Sequence, residues 1–371
     1  MAFLGVNWNR KENAPACSVD NVLEGLSRYI QGSGARSLAD VMAEPCVKSV
    51  NSEKTMEAVV ESVKGLIAVC KQRNESRKLQ RALRQPIITL FTTWAPTNDS
   101  EKKEIHQRTL QNWASLKPHV EIVVFTNSSD DKLMAEKHGA EVLPVLQHRG
   151  GGAPILRWMF EAVKKDHIVS TLLGYVNSDI LFTDKLISTL EAIIKTKDMK
   201  KPVFIVGRRI NVKDVTSNET ETYAEIERIA KNRGELFGAN AEDFFITNTA
   251  FPWPKIVDVV VGRLAYDNWI VGHVICNMKI DVIEVTDTVT SVHQTSKAGG
   301  NYEGFKSKHA NHNNALFKAK GIHPKFESGF TICAPEYTFY NLCGDVQILK
   351  RTDFWQECAC PVPKNASARA A

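Results

Sequence analysis

Thr171-Leu-Leu-Gly-Tyr-Val-Asn-Ser-Asp-Ile-Leu-Phe-Thr183 is the stretch whose reading decides the fold. Leu172 to Val176 is an apolar run that leads straight into Asn177-Ser178-Asp179, and apolar residues resume at Ile180. A short apolar run with turn chemistry at its end predicts a buried strand. On extended backbone an amide and a carboxylate two residues apart share one side of the chain. In an open α/β sheet, ligands sit just beyond the carboxyl ends of the strands. Asn177 and Asp179 are therefore candidate ligand-binding residues. In isolation Asn-Ser-Asp is more often an ordinary Asx turn; the flanking segments change that reading.

Upstream, Ile87 to Phe91 is β-rich and ends in Thr92-Thr93-Trp94, and a polar helix follows from Ser100 to Leu116. Glu121 to Phe125 reads as a strand ending in Thr126-Asn127-Ser128-Ser129; a helix, a strand (Val142 to Val145) and a further helix (Pro154 to Lys165) come next. Downstream, Thr183-Asp184 opens a helix, Pro202 to Val206 is a strand, and a charged helix runs on to Arg233. Asp243 to Thr247 and Lys279 to Val285 read as strands, with an apolar helix, Ile270 to Cys276, between them. Lys297 to Asn314 reads as a polar loop over the cleft. Strands alternating with helices of this length predict right-handed crossovers and a mostly parallel sheet covered on both faces. Three strands exit into small polar residues (Thr92-Thr93, Thr126-Asn127, Asn177-Asp179), which would line one edge of that sheet as a cleft.

Residues 1–85 read as an appended helical region with one greasy face at Met56, Val59, Val60, Val63, Leu66 and Ile67. Residues 86–330 form the α/β domain, and 331–371 are a C-terminal extension with a frayed end. The net charge of +5 suits anionic small molecules and falls short of a nucleic-acid footprint. No apolar run reaches the roughly 18 residues a membrane span needs. As it stands the chain reads as cytoplasmic, or lumenal in the Golgi if an anchor has been removed. Its eight cysteines lack zinc-ligand spacing. Gly150-Gly151-Gly152 lacks the strand–turn–helix setting and the following Lys-Ser/Thr of a P-loop. Oligomeric state is not legible.

Taken in order, Pro86 to Trp94, Gly152-Ala153-Pro154, Tyr175 to Leu181, Asp243-Phe244-Phe245, Gly262 to Trp269 and Val292-His293-Gln294 resemble a glycosyltransferase of the GT-A fold, a nucleotide-diphospho-sugar transferase with an N-x-D variant of the D-x-D motif. The resemblance covers roughly residues 86 to 320. It implies a UDP- or GDP-sugar donor, a hydroxyl acceptor, and Mn²⁺ or Mg²⁺ held by Asp179 with His293. It makes Asp267, in Tyr-Asp-Asn-Trp, the base that activates the acceptor hydroxyl with inversion of the anomeric centre. A helix cap is the plainer job for that aspartate. Thr92, Thr93 and Asn127 are expected near the nucleotide; Arg157 suits a phosphate, or a solvated helix surface, and Trp253 and Trp269 suit either a platform for a sugar ring or the core. Asn177 stands where the motif has its first acid, which weakens the expected metal site. Two rivals remain: a catalytically silent module of the same fold, and a sugar-1-phosphate nucleotidyltransferase. The latter is disfavoured because Thr92-Thr93-Trp94-Ala95-Pro96 replaces a glycine-rich basic loop after the first strand.

Overall fold

Strand Leu172–Val176, buried at every position, lies in the middle of the largest sheet. The computed structural model describes residues 86–166, 170–297, 306–341 and 344–361. The helices expected before residue 85, the tail from Asn365 and much of the polar stretch after Lys297 lie outside the described residues. The compact unit considered below runs from residue 84 to 339 and resumes at 348.

In chain order the strands are β1 (Ile88–Thr93), β2 (Val120–Phe125), β3 (Glu141–Leu143), β4 (His148–Arg149), β5 (Ala153–Pro154), β6 (Leu172–Val176), β7 (Ile180–Phe182), β8 (Val203–Val206), β9 (Ile210–Lys213), β10 (Glu235–Leu236), β11 (Phe244–Asn248), β12 (Asp281–Glu284), β13 (Ser291–Thr295), β14 (Glu336–Tyr340) and β15 (Val346–Lys350). The helices are α1 (Ser100–Ser115), α2 (Ser129–Lys137), α3 (Leu156–Asp166), α4 (Lys185–Thr196), α5 (Tyr223–Arg233), α6 (Tyr266–His273) and α7 (His312–Ala319).

Nine strands form the main sheet in the order β15-β14-β12-β8-β11-β6-β1-β2-β3. β6, β1, β2 and β3 are mutually parallel, as are β8, β12 and β14; β11 runs antiparallel between the two groups. The sheet is thus mostly parallel, as an alternating α/β chain requires. Residues beyond 330, set apart from the sequence as an extension, contribute β14, which pairs with β12 at Ile283–Glu336 and Glu284–Tyr337. Two large apolar clusters flank the sheet. One gathers Leu110, Trp113, Leu186 and Leu190 from α1 and α4; the other gathers Leu156, Phe160, Ile270 and Phe317 from α3, α6 and α7.

A second sheet, β10-β9-β13-β7, is built from short strands that the sequence reading did not resolve. His293, expected in a segment following a strand, lies inside β13. The supposed loop after Lys297 ends in helix α7. The second sheet matters because β7 begins directly after Asp179. Helix α1 holds β7 in place: Trp113 Nε1 donates to Ile180 O at 2.9 Å, and the Asn112 amide exchanges two 2.8 Å hydrogen bonds with the backbone of Phe182. Asp99 starts that helix, its carboxylate accepting from the N–H groups of Glu101 and Lys102.

Two disulfides, Cys276–Cys360 and Cys333–Cys358, fasten the final described segment to the body of the unit. Each closes a loop in the unfolded chain, of 84 and 25 residues respectively. Their reduction should lower stability by about 2–5 kcal/mol for each bridge. A melting temperature unchanged by a strong reductant, with thiol titration showing both bridges open, would contradict this.

Candidate active site

The turn Asn177-Ser178-Asp179 joins β6 to β7 between two sheets. Asn177 N–H donates to Asp243 O at 2.8 Å, and Gln294 N–H donates to Asp179 O at 3.0 Å. Antiparallel pairing of β7 with β13 sets His293 opposite Ile180. That register brings His293 Nε2 to 3.2 Å from Asp179 Oδ2. The other imidazole nitrogen lies 3.0 Å from Thr295 Oγ1, which fixes the ring. Asp179 Oδ1 is buried with no hydrogen-bond partner. Burial works against ionising this carboxyl, but His293, Arg209 and His106 together hold it below its ordinary value.

Asn177 is engaged elsewhere. Its Oδ1 accepts from Tyr175 OH at 3.0 Å, and its Nδ2 donates to Asp243 Oδ1 at 2.7 Å. Asp243 is in turn gripped by Arg209 Nη1 at 2.7 and 2.9 Å, with both residues buried and the guanidinium lying over the Phe237 ring. The motif's first position therefore anchors the turn to β11 and does not present a free ligand.

A cavity of about 900 Å³ opens over these strand ends. Of the residues expected from the sequence, Thr93, Asn127, Asn177, Asp179, Asp267 and His293 line it. Thr93 donates to Phe125 O, and the Asn127 amide is spent on both backbone groups of Val145, so each shapes the wall. Four expected residues lie away from the cavity. Thr92 is fully buried. Arg157 is paired with Asp258 and Glu161 and rests on Trp158. Trp253 is stacked on Phe160 at 3.7 Å and donates to Thr247. Trp269 is packed between His273 and Phe317. Both tryptophans are core residues here, the second of the two roles the sequence allowed them, and not sugar platforms.

Asp267 enters the cavity from the first turn of α6. The residue capping that helix is Ala265, at φ 76° and ψ 0°, with no side-chain capping bond. A non-glycine residue in this left-handed region is strained, and such strain clusters at functional sites. Helix α6 is also clamped from behind: a Cβ on Gly329 would stand 1.8 Å from Asn268 O, so only glycine allows that approach. Asp267 accepts one hydrogen bond, from Asn268 N–H at 3.0 Å. Burial, opposed by that N–H and reinforced by the Asp243 charge, pushes its carboxyl up to about 6. Glu242, beside it and bonded to the Asn268 amide, is pushed well above its ordinary value by burial and by Asp267 and Asp243.

The sequence reading missed Arg209, Asp243 as a side chain, Glu242 and His106. His106 lines the cavity stacked on Trp94 at 4.5 Å, and burial lowers its pKa to about 4, so it is neutral at pH 7. The polar Ser100 to Leu116 helix gave no sign that one histidine of its buried face reached a site.

The chain has an α/β fold: a mostly parallel sheet in which β11 runs antiparallel, and a small second sheet that carries the strand after the acidic turn. No protein-family model matches the chain, and no curated protein matches it. Among solved structures, glucosyl-3-phosphoglycerate synthase from Mycobacterium tuberculosis, in complex with Mn²⁺, uridine diphosphate and phosphoglyceric acid, is 12% identical over 66% of this chain and 81% of that one, at a TM-score of 0.35. A 4-diphosphocytidyl-2C-methyl-D-erythritolsynthase from Anaerococcus prevotii is 12% identical over 63% and 99%, at 0.31. A mannose-1-phosphate geranyltransferase from Thermus thermophilus is 14% identical over 45% and 58%, at 0.25. Similarity at this level says nothing of activity.

Proposed function

We propose that the protein is a glycosyltransferase that moves a sugar from a UDP- or GDP-linked donor to an acceptor hydroxyl, with inversion. One observation carries the reading: a single cavity holds the Asp179–His293 pair and, from a different element, the half-buried carboxylate of Asp267. Separate stations for a leaving group and for an attacking hydroxyl are what a direct displacement needs.

Asp179 and His293 fit a divalent cation. Asp179 is ionised and has one oxygen without a partner, and one carboxylate with one imidazole suits Mn²⁺ better than Mg²⁺. No cluster of three or more protein ligands exists among the described residues, so donor phosphate oxygens would have to complete the shell. When bound, the cation neutralises charge developing on the diphosphate leaving group. The chain's own residues do the rest. Asp267 takes the proton of the acceptor hydroxyl as the new bond forms. Arg209 holds Asp243, and through it Asn177, so that the turn holds Asp179 toward the cavity.

Asp179→Asn should lower Mn²⁺-dependent affinity for UDP-sugar or GDP-sugar by at least about tenfold with the fold intact. Calorimetry showing unchanged donor affinity would remove Asp179 from the site. The silent-module reading rests on Asn177, whose amide is no longer available to a cation. Turnover of donor by the purified protein with Mn²⁺ separates the two readings. The two disulfides favour the lumen of a secretory compartment over the cytoplasm. No helix among the described residues is long and apolar enough to cross a membrane.

A further inference from the structure

The triple-glycine turn, which the P-loop comparison left without a role, forms one lip of the cavity. Gly150, Gly151 and Gly152 all have positive φ, at 52°, 78° and 94°. A Cβ on Gly151 would meet His309 Cδ2 at 2.4 Å, and one on Gly150 would meet His312 Cγ at 2.9 Å. The turn is therefore pressed against two imidazoles. Arg263 grips it from the other side, with Nε and Nη2 donating to Gly150 O at 3.2 and 3.0 Å. His148 and Arg263 line the cavity itself, beside Gly151 and Gly152. Arg149 stands next to them, exposed, donating to His148 O.

Neither Arg149 nor Arg263 has a carboxylate partner among the described residues. Burial lowers the Arg263 pKa, with no acid compensating. His312 is held below its ordinary value by burial first and then by the charges of Arg263, His309 and Arg149. Two guanidiniums, with three imidazoles packed around them, are thus gathered at the mouth of a site, and two cations without carboxylate partners favour an anion between them. Arg263 lies in the loop that leads into α6, four residues before Asp267, so the cluster flanks the proposed acceptor base.

We propose that this cluster binds an oxyanion, a phosphate or carboxylate group, carried by the acceptor. The inference rests on the transferase reading and adds the chemical class of the acceptor. Arg263 already donates to Gly150 O and, through Nη1, to Gly262 O, which holds the guanidinium rigid and leaves N–H groups for an oxyanion. Gly152, with open space where a Cβ would be, leaves room for the anion to approach the backbone. A neutral acceptor would leave the cluster uncompensated.

The test is calorimetry on the full chain saturated with UDP and Mg²⁺, titrated separately with inorganic phosphate, lactate and glycerol. Phosphate or lactate should bind and glycerol should not; the tighter of the two anions assigns a phosphorylated or an acidic acceptor. Arg263→Gln should weaken the anion about tenfold or more while UDP affinity stays within about twofold. Should that variant fold poorly, the exposed Arg149→Ala should still weaken the anion by about two- to threefold. Anion affinity indifferent to both variants would overturn the proposal, as would UDP binding without any anion binding. Loss of UDP affinity in Arg263→Gln would also overturn it, by assigning the cluster to the donor. A protein that binds phosphate through Arg263 but takes neither UDP nor GDP would refute the transferase reading and leave the anion site standing.

Discussion

Asp267→Asn is expected to cut transfer by about a hundred- to ten-thousand-fold while the melting temperature barely moves. The two parts of that result come from different features of one residue. Asp267 is not the cap of α6, since Ala265 holds that position; its carboxylate accepts from the Asn268 N–H. An asparagine oxygen accepts the same bond, so the helix entrance should survive. What the amide lacks is basicity. A carboxyl held near 6 is mostly ionised at pH 7, yet is a stronger base than an ordinary aspartate, which is the compromise that proton abstraction favours. The pH profile follows: kcat/KM should fall on the acid side with an apparent pKa near 6. The stability sign runs the other way. A carboxyl raised on folding adds stability only while protonated, below its unfolded value near 4, and that contribution is lost as pH rises through 6. Asp267→Asn should therefore be no less stable than the unmutated protein at pH 8. Full transfer activity in this variant would dismiss Asp267 as the base, and with it the inference of inversion.

The three polar strand exits were legible in the sequence because a buried parallel strand is apolar until it leaves the sheet. β1, β2 and β6 are adjacent and parallel, so those exits fall on one edge by topology alone. The second sheet was not legible. β9 and β13 mix polar with apolar residues over four or five positions, and β13 pairs with β7 across more than a hundred residues, so no local period announces them. Arg157 and the two tryptophans show the converse error. Their residue types suit phosphate and sugar, but Asp258, 101 residues from Arg157, and Phe160, beside Trp253, claim them first. Asp243 read as the start of a strand; its partnership with Asn177, 66 residues away, depends on the antiparallel placement of β11. Cysteine pairing likewise cannot be taken from spacing.

Arg209→Met should be the most destabilising single change near the cavity, costing about 3–5 kcal/mol, because it strands a buried carboxylate. Asp243 is 4% exposed and its two oxygens face the Arg209 guanidinium; once that is gone, the Asn177 amide still donates to it but no charge balances it. Adding Asp243→Asn removes the stranded charge, so the double variant should recover part of the loss, which denaturant unfolding would measure as a coupling energy. The same pair biases both working carboxylates. Arg209 helps to hold Asp179 ionised, and it lowers the Asp267 pKa while Asp243 raises it. Arg209→Met should accordingly move the acid limb of the rate profile to higher pH, and Asp243→Asn in that background should bring it back. A purely structural ion pair would change unfolding free energy and leave the limb where it was. If the limb stays put in both variants while stability falls, Arg209 and Asp243 only hold the turn, and the electrostatic link between the anchor and the base is wrong.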